Sequence, residues 1–125
     1  MGAKMILFVE DEAQQLKYMR RLLEGQGYHV LGARDGIEAV EVHRRHSKEI
    51  DLVVLDLKLP KLNGWDAFQQ MKKKDPQVKA LIATAHVTSE VRSAIAKGEA
   101  LDLFLKPYPV DVFLAKISEV IGKPT

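Results

Sequence analysis

The sequence predicts an α/β fold in which helices cover both faces of a five-stranded parallel sheet. Five short apolar runs alternate with five stretches of helical spacing, the pattern of repeated strand–helix units. The runs at residues 5–9, 52–55 and 80–83 are apolar throughout, as strands covered on both faces are. We therefore place these three strands in the middle of the sheet.

The two remaining runs are predicted to be edge strands. Residues 28–31 include His29 and residues 101–105 include Asp102, and an edge strand tolerates such polar side chains. With the second and fifth strands outside the first, third and fourth, the strand order becomes 2-1-3-4-5. This order defines a flavodoxin-like, doubly wound sheet with five helices.

Apolar stripes and stop signals locate the five helices. Glycines at positions 25, 98 and 122 end the first, fourth and fifth helices, and Thr88 or Ser89 caps the fourth. Pro109 suits the first turn of the fifth helix. The stripes are Leu16, Met19, Leu22 and Leu23; Ile37 and Val40; Trp65, Phe68 and Met71; Val91, Ala94 and Ile95; and Val110, Phe113, Leu114, Ile117 and Ile121.

Length and composition exclude several classes of protein. A chain of 125 residues has the size of one domain, so we expect a single domain over residues 1–125. A net charge of +2 is too small for a dedicated nucleic-acid binder, and the absence of cysteine excludes disulfides and thiolate metal sites. No apolar stretch approaches the ~20 residues of a membrane span. We expect a soluble cytoplasmic protein, a monomer or weak dimer, that does not insert into membranes.

Polar residues stand at the carboxyl ends of four predicted strands. Glu10, Asp11 and Glu12 follow the first strand, and Asp56, Thr84 and Lys106 follow the third, fourth and fifth. In an open parallel sheet these ends form the crevice where ligands bind, so the side chains should converge. Carboxylates together with a lysine and a hydroxyl are suited to a divalent cation and a phosphoryl group.

Four motifs resemble the response-regulator receiver domain of two-component signalling, of the chemotaxis-regulator type. They are residues 7–12 (LFVEDE), residues 51–60 (DLVVLDLKLP) with Gly64, residues 83–85 (ATA) and Lys106-Pro107. Asp11, Asp56, Thr84 and Lys106 follow one another at separations of 45, 28 and 22 residues. The resemblance implies that Asp56 accepts a phosphoryl group from a sensor histidine kinase or histidine phosphotransfer protein. It implies a phosphorylation-activated switch rather than an enzyme.

The resemblance also implies a Mg²⁺ site. Asp11 and Asp56 would be direct ligands, the backbone carbonyl of Lys58 a third, and Glu10 a direct or water-mediated one. Many members have Asp where this chain has the longer Glu10. Lys106, the Thr84 hydroxyl and the Ala85 amide would contact the phosphoryl oxygens, and the Lys106–Pro107 bond would be cis.

Two further roles are implied by the same resemblance. Lys58 and His86, two residues after the acceptor and the threonine, border the path of the hydrolytic water and would tune the lifetime of the phosphorylated state. Thr84 would act as a switch residue together with the side chain three positions before the lysine. Receivers commonly have Tyr or Phe there, and this chain has Leu103.

Other interpretations stay open at this point. The chain could be a receiver excised from a larger regulator with a DNA-binding or enzymatic output domain, and its downstream target is unknown. A haloacid-dehalogenase-like phosphatase would need a second carboxylate at position 58, which is Lys58 here. A flavin carrier would need a phosphate loop without acids after the first strand.

For the remaining polar clusters we prefer a structural interpretation to a functional one. His43 and His46 could share a metal, but their basic neighbours favour a solvated helix face. Lys72, Lys73 and Lys74 are expected to complement the helix dipole rather than to bind nucleic acid. For the crevice itself, a purely structural reading would require four independent coincidences.

Overall fold

Five strands and five helices alternate in the computed structural model, which describes residues 3–124. The strands are β1 (Met5–Val9), β2 (His29–Ala33), β3 (Ile50–Leu55), β4 (Ala80–Thr84) and β5 (Asp102–Leu105). The helices are α1 (Ala13–Gly25), α2 (Gly36–His46), α3 (Gly64–Lys74), α4 (Ser89–Ala96) and α5 (Val110–Ile121). None of these helices is long and apolar enough to span a membrane.

The sheet has the predicted order β2-β1-β3-β4-β5, and every neighbouring pair is parallel. Val9 is in register with Ala33 on one side and Leu55 on the other, and Leu55 is in register with Ile82. The carboxyl ends of the strands therefore lie along one edge. The residues that follow them are brought together there.

Two hydrophobic cores lie on opposite faces of the sheet, as the fully apolar central strands predict. One core joins alternate residues of β1, β3 and β4, such as Phe8, to α1 and α5 through Leu23, Phe113 and Ile117. The other joins the intervening residues to α2 and α3 through Ala39, Phe68 and Met71, with Ile95 of α4 packed at its margin. The alternation of side chains along each strand supplies both cores at once.

The predicted apolar stripe of α2 was right for Val40, which packs against the second core, and wrong for Ile37. Ile37 is 55% exposed, while Gly36, Ala39 and His43 are buried. His43, expected on a solvated face, is only 2% exposed, and its Nε2 lies 3.7 Å from Oδ2 of Asp75. Burial lowers the pKa of His43, and the nearby Asp75 carboxylate only partly opposes this effect.

Smaller differences concern the ends of elements. β2 continues to Ala33 because Gly32 and Ala33 still pair with β1, and β3 begins earlier, at Ile50, which pairs with Met5. β5 begins at Asp102 rather than at residue 101. Thr88 is the N-cap of α4, accepting a hydrogen bond from the Val91 amide at 3.2 Å. Pro109 precedes α5 as its N-cap residue instead of lying in its first turn.

Candidate functional site

A polar cleft lies at the carboxyl edge of the sheet, where the sequence predicts it. It is lined by four carboxylates, two lysines and four other residues: Glu10, Asp11, Glu12, Gln15, Asp56, Lys58, Thr84, Ala85, His86 and Lys106. All the predicted acceptor, metal and tuning residues are in this set. Leu103 is not, because its side chain packs against the core formed with α2 and α3.

Lys106 forms ion pairs with the two carboxylates that directly follow the first and third strands. Its Nζ donates to Oε1 of Glu10 at 2.5 Å and to Oδ2 of Asp56 at 2.9 Å, with Oε1 of Gln15 at 3.5 Å. Burial alone would lower the pKa of Lys106, but hydrogen bonds and charge attraction from Glu10 and Asp56 outweigh it and raise that pKa. The lysine therefore remains charged and compensates two carboxylates. The Lys106–Pro107 bond that follows is cis, as the resemblance implies.

Both oxygens of the Asp56 carboxylate are engaged. Oδ2 accepts from Lys106, while Oδ1 accepts from the Thr84 hydroxyl at 2.7 Å and from the Lys58 amide at 3.1 Å. The side chain is 12% exposed. Asp56 is thus an oriented and largely buried carboxylate, unlike a solvated loop residue or a helix cap.

Thr84 offers one hydrogen to two acceptors. Its hydroxyl lies 2.7 Å from Oδ1 of Asp56 and 3.1 Å from the carbonyl oxygen of His86. A hydroxyl carries a single donor, so it cannot serve both fully, and the shorter distance favours Asp56. The loop after β4 is therefore linked to the state of Asp56 through one buried hydroxyl.

The acidic loop after β1, residues 10–12, is held in place by hydrogen bonds to its backbone amides and to one of its carbonyl groups. The Glu10 amide donates to the Ala33 carbonyl at 3.0 Å, and Oε2 of Glu10 accepts from the Glu12 amide at 3.3 Å. Glu10 is 3% exposed, whereas Asp11 is half-buried at the cleft. The carbonyl of Asp11 accepts two hydrogen bonds from Arg34.

The chemistry of this donor set fits Mg²⁺. The carboxylates of Glu10, Asp11 and Asp56 are hard oxygen ligands, which this cation prefers. Within residues 3–124, no three acidic or histidine side chains meet closely enough to form a ready-made cage. Mg²⁺ does not need one, since it commonly keeps several waters beside one or two carboxylates.

The first residue of α3 lies close to the backbone of Asp56 and Leu57. Gly64, the first residue of α3, donates from its amide to the Leu57 carbonyl at 2.8 Å. A Cβ atom at this position would overlap the carbonyl oxygen of Asp56. The motif glycine is therefore required by close approach of two backbones.

Two residues at the site were not predicted from the sequence. Gln15 lies four positions after Asp11 in the first turn of α1, so helical spacing could have placed it on the cleft. Arg34 directly follows β2, the strand adjacent to β1, and this strand-end position was the available signal.

A parallel sheet in this order, with acids, a threonine and a lysine at its carboxyl edge, is the architecture of a signalling receiver. The family model of the response regulator receiver domain matches residues 6–118. The chain belongs to this family and is a receiver domain of two-component signalling. Members of this family exchange signals with histidine kinases or phosphotransfer proteins and with downstream proteins.

Among curated proteins, the chain is 31% identical over 117 residues to the transcriptional regulatory protein ZraR of Klebsiella oxytoca, covering 94% of the chain and 26% of ZraR. It is 28% identical to the polar-differentiation response regulator DivK of Brucella anthropi, covering 95% and 97% of the two chains. The chain thus spans about a quarter of one relative and nearly all of the other.

Solved structures show the same fold. The non-phosphorylated HemR receiver domain of Leptospira biflexa has a TM-score of 0.85 and 32% identity, covering 94% of each chain. TrrA of Thermotoga maritima, solved in complex with Mg²⁺ and BeF, has a TM-score of 0.79 and 28% identity, covering 94% of this chain and 98% of TrrA.

Proposed function

We propose that Asp56 accepts a phosphoryl group from a phosphohistidine on a sensor histidine kinase or a histidine phosphotransfer protein. The observation that carries the proposal is the engagement of this one carboxylate by Lys106 at 2.9 Å and Thr84 at 2.7 Å. These donors hold the carboxylate in place and are themselves groups that bind phosphoryl oxygens. In the transfer, the P–N bond to histidine breaks as a P–O bond to Asp56 forms.

The residues around Asp56 offset the repulsion between an anionic nucleophile and an anionic phosphoryl group. Lys106 already lies between Glu10 and Asp56, so it can move its hydrogen bond from the carboxylate to a phosphoryl oxygen without leaving the cleft. The Thr84 hydroxyl can follow the same course, and the Ala85 amide is a further donor. Each would exchange one oxygen acceptor for another.

Mg²⁺ is the proposed cofactor. Asp11, Asp56 and the Lys58 carbonyl would hold it, and Glu10, which is committed to Lys106 and the Glu12 amide, would contribute through water. A bound Mg²⁺ would neutralise charge on the phosphoryl oxygens during transfer. The TrrA structure with Mg²⁺ and BeF supports this assignment by similarity.

The output is proposed to be a change in protein contacts. A similar solved structure, of 24% identity, is a complex of CheX with CheY from Borrelia burgdorferi, and the similarity to ZraR, a transcriptional regulatory protein, supports a link to transcription. The cytoplasmic location, the monomeric or weakly dimeric state, the single-domain extent and the absence of enzymatic activity stay predictions.

The acceptor is tested by labelling with radioactive acetyl phosphate in Mg²⁺. The Asp56→Asn variant keeps the shape of the side chain but loses its nucleophilic charge, and we expect it to take up no label. Asp111→Asn, an exposed acid in the first turn of α5, is the matched control and should be labelled like the wild type. Comparable labelling of Asp56→Asn would reject the assignment.

A further inference from the structure

Arg34 contacts the acidic loop, residues 10–12, and has no role in the proposed phosphoryl transfer. Its guanidinium donates from Nη2 at 2.8 Å and from Nε at 3.3 Å to the backbone carbonyl oxygen of Asp11. The planar guanidinium presents these donors in a fixed fork, which restrains an acceptor more than one flexible donor does. The peptide group that contains the Asp11 carbonyl is therefore held in place by Arg34, which lies in the turn between β2 and α2.

The backbone of Arg34 is itself fixed. Its amide donates to Oε1 of Glu38 at 2.6 Å, and the Glu38 amide donates to Oδ1 of Asp35, the N-cap of α2, at 2.7 Å. These two contacts resemble a capping box, except that Glu38 accepts from the residue before the N-cap, and they anchor the turn to the first turn of α2. The guanidinium thus reaches the acidic loop from a rigid base.

We propose that Arg34 is a positioning residue for the metal ligand Asp11, an inference that rests on the proposed Mg²⁺ site. Two effects of Arg34 on the metal oppose each other. Its positive charge would weaken Mg²⁺ binding, whereas its hydrogen bonds order the loop that presents the ligand. The side chain is exposed, so water and salt screen its charge, while the hydrogen bonds act directly on the peptide of Asp11. Positioning therefore outweighs repulsion.

The test is a Mg²⁺ titration of purified protein without any phosphoryl donor, read by Trp65 fluorescence and by amide NMR shifts of residues 10–13. We expect Arg34→Met to bind Mg²⁺ roughly tenfold more weakly, as removal of groups that orient metal ligands commonly does. Arg34→Lys keeps the charge but not the fork, so its affinity should lie between those of Arg34→Met and the wild type. Arg21→Met, an exposed arginine of α1, controls for loss of one charge and should bind as the wild type does.

A purely structural role would change the unfolding temperature of the metal-free protein without changing Mg²⁺ affinity, so both are measured. Affinity of Arg34→Met within twofold of the wild type, or tighter, would overturn the inference while leaving the metal site intact. Failure of the wild type to bind Mg²⁺ would overturn the proposed cofactor and this inference together. Should Arg34→Met not fold, Arg34→Lys decides: weaker binding supports positioning and wild-type affinity refutes it.

Discussion

Lys106 links the residues whose charges would otherwise repel one another at the cleft. Glu10 is 3% exposed and Asp56 is mostly buried, so each carboxylate needs a cation close by. The ion pairs raise the pKa of Lys106, so they stabilise the fold below the normal lysine pKa and are lost only as the pH rises through the raised value. Across the physiological range this compensation is present in full.

The site residues could be predicted because each lies at the carboxyl end of a strand or directly after it, Thr84 being the last residue of β4. Asp56, Thr84 and Lys106 depend on strand ends alone, and strands of this kind are readable from composition. His43 could not be predicted because the small Gly36 and Ala39 form the buried face of α2, while Ile37 gives a misleading apolar signal. Tertiary packing buried the side of α2 that carries Ala39 and His43 and left Ile37 exposed.

The buried His43 predicts acid sensitivity of the fold. Burial lowers its pKa below the ordinary value of 6.5, so the neutral form contributes stability above pH 6.5. That contribution is lost as the pH falls from 6.5 through the lowered pKa. Urea unfolding from pH 7.5 to 5 should show decreasing stability, and His43→Gln should lose part of this pH dependence.

Exposed His29 provides the matched control for that measurement. The His29→Gln variant should keep the pH dependence of the wild type. Identical slopes for His43→Gln and the wild type would show that His43 does not cause the acid sensitivity.

Lys58 is predicted to control how long a phosphoryl group persists on Asp56. Its side chain is exposed at the mouth of the cleft, while its amide is tied to Oδ1 of Asp56 at 3.1 Å. Lys58→Ala removes a large cationic group that can cover the phosphoryl group, so we expect faster dephosphorylation with Mg²⁺ affinity nearly unchanged. Decay of radioactive label measures the rate, and equal rates in both proteins would refute the shielding role. His86 also lines the cleft and is the second position to vary.

The side chains of β5 point into two different hydrophobic cores. Leu103 packs with the core formed with α2 and α3, whereas Phe104 packs on the other face against Phe113, with ring centroids 5.3 Å apart. Phe104 also lies 5.7 Å from the ring of Tyr108. The alternation means that Phe104 cannot replace the aromatic ring commonly found at position 103 without a register shift.

Activation is therefore predicted to be conveyed mainly by Thr84 and residues 85–89, with a weaker change on the surface of α4, β5 and α5. Leu103 has no ring or hydroxyl to stabilise two distinct positions. Methyl NMR spectra of the free and beryllofluoride-bound protein should show small changes at Leu103 and larger ones after β4. A complete rotamer exchange of Leu103, with large shifts across that surface, would show that leucine serves as the switch.

At the scale of the whole molecule, the acidic cleft predicts that Mg²⁺ stabilises the fold. A ligand that binds only the folded state adds about 2.7 kcal/mol at a concentration 100 times its Kd. The unfolding temperature should rise by several degrees in millimolar Mg²⁺, and Asp11→Ala should abolish the rise. Trp65, at the start of α3 near the acceptor loop, offers a second readout.

The control for this experiment is Asp111→Ala, which removes an exposed acid far along the chain from the acidic loop and should keep the full response. An unchanged unfolding temperature and unchanged Trp65 fluorescence in the wild type would count against the metal site.

The absence of a side chain at Gly64 also has a mechanical consequence. The backbone of α3 lies directly against the carbonyl group of Asp56, with no room between them for a Cβ atom. We therefore expect the backbone of the acceptor and α3 to move together, whereas Thr84 and Lys106 reach Asp56 only through side chains that can exchange partners. Displacement on phosphorylation should accordingly be one-sided, with the β4 and β5 side moving against a stationary α3.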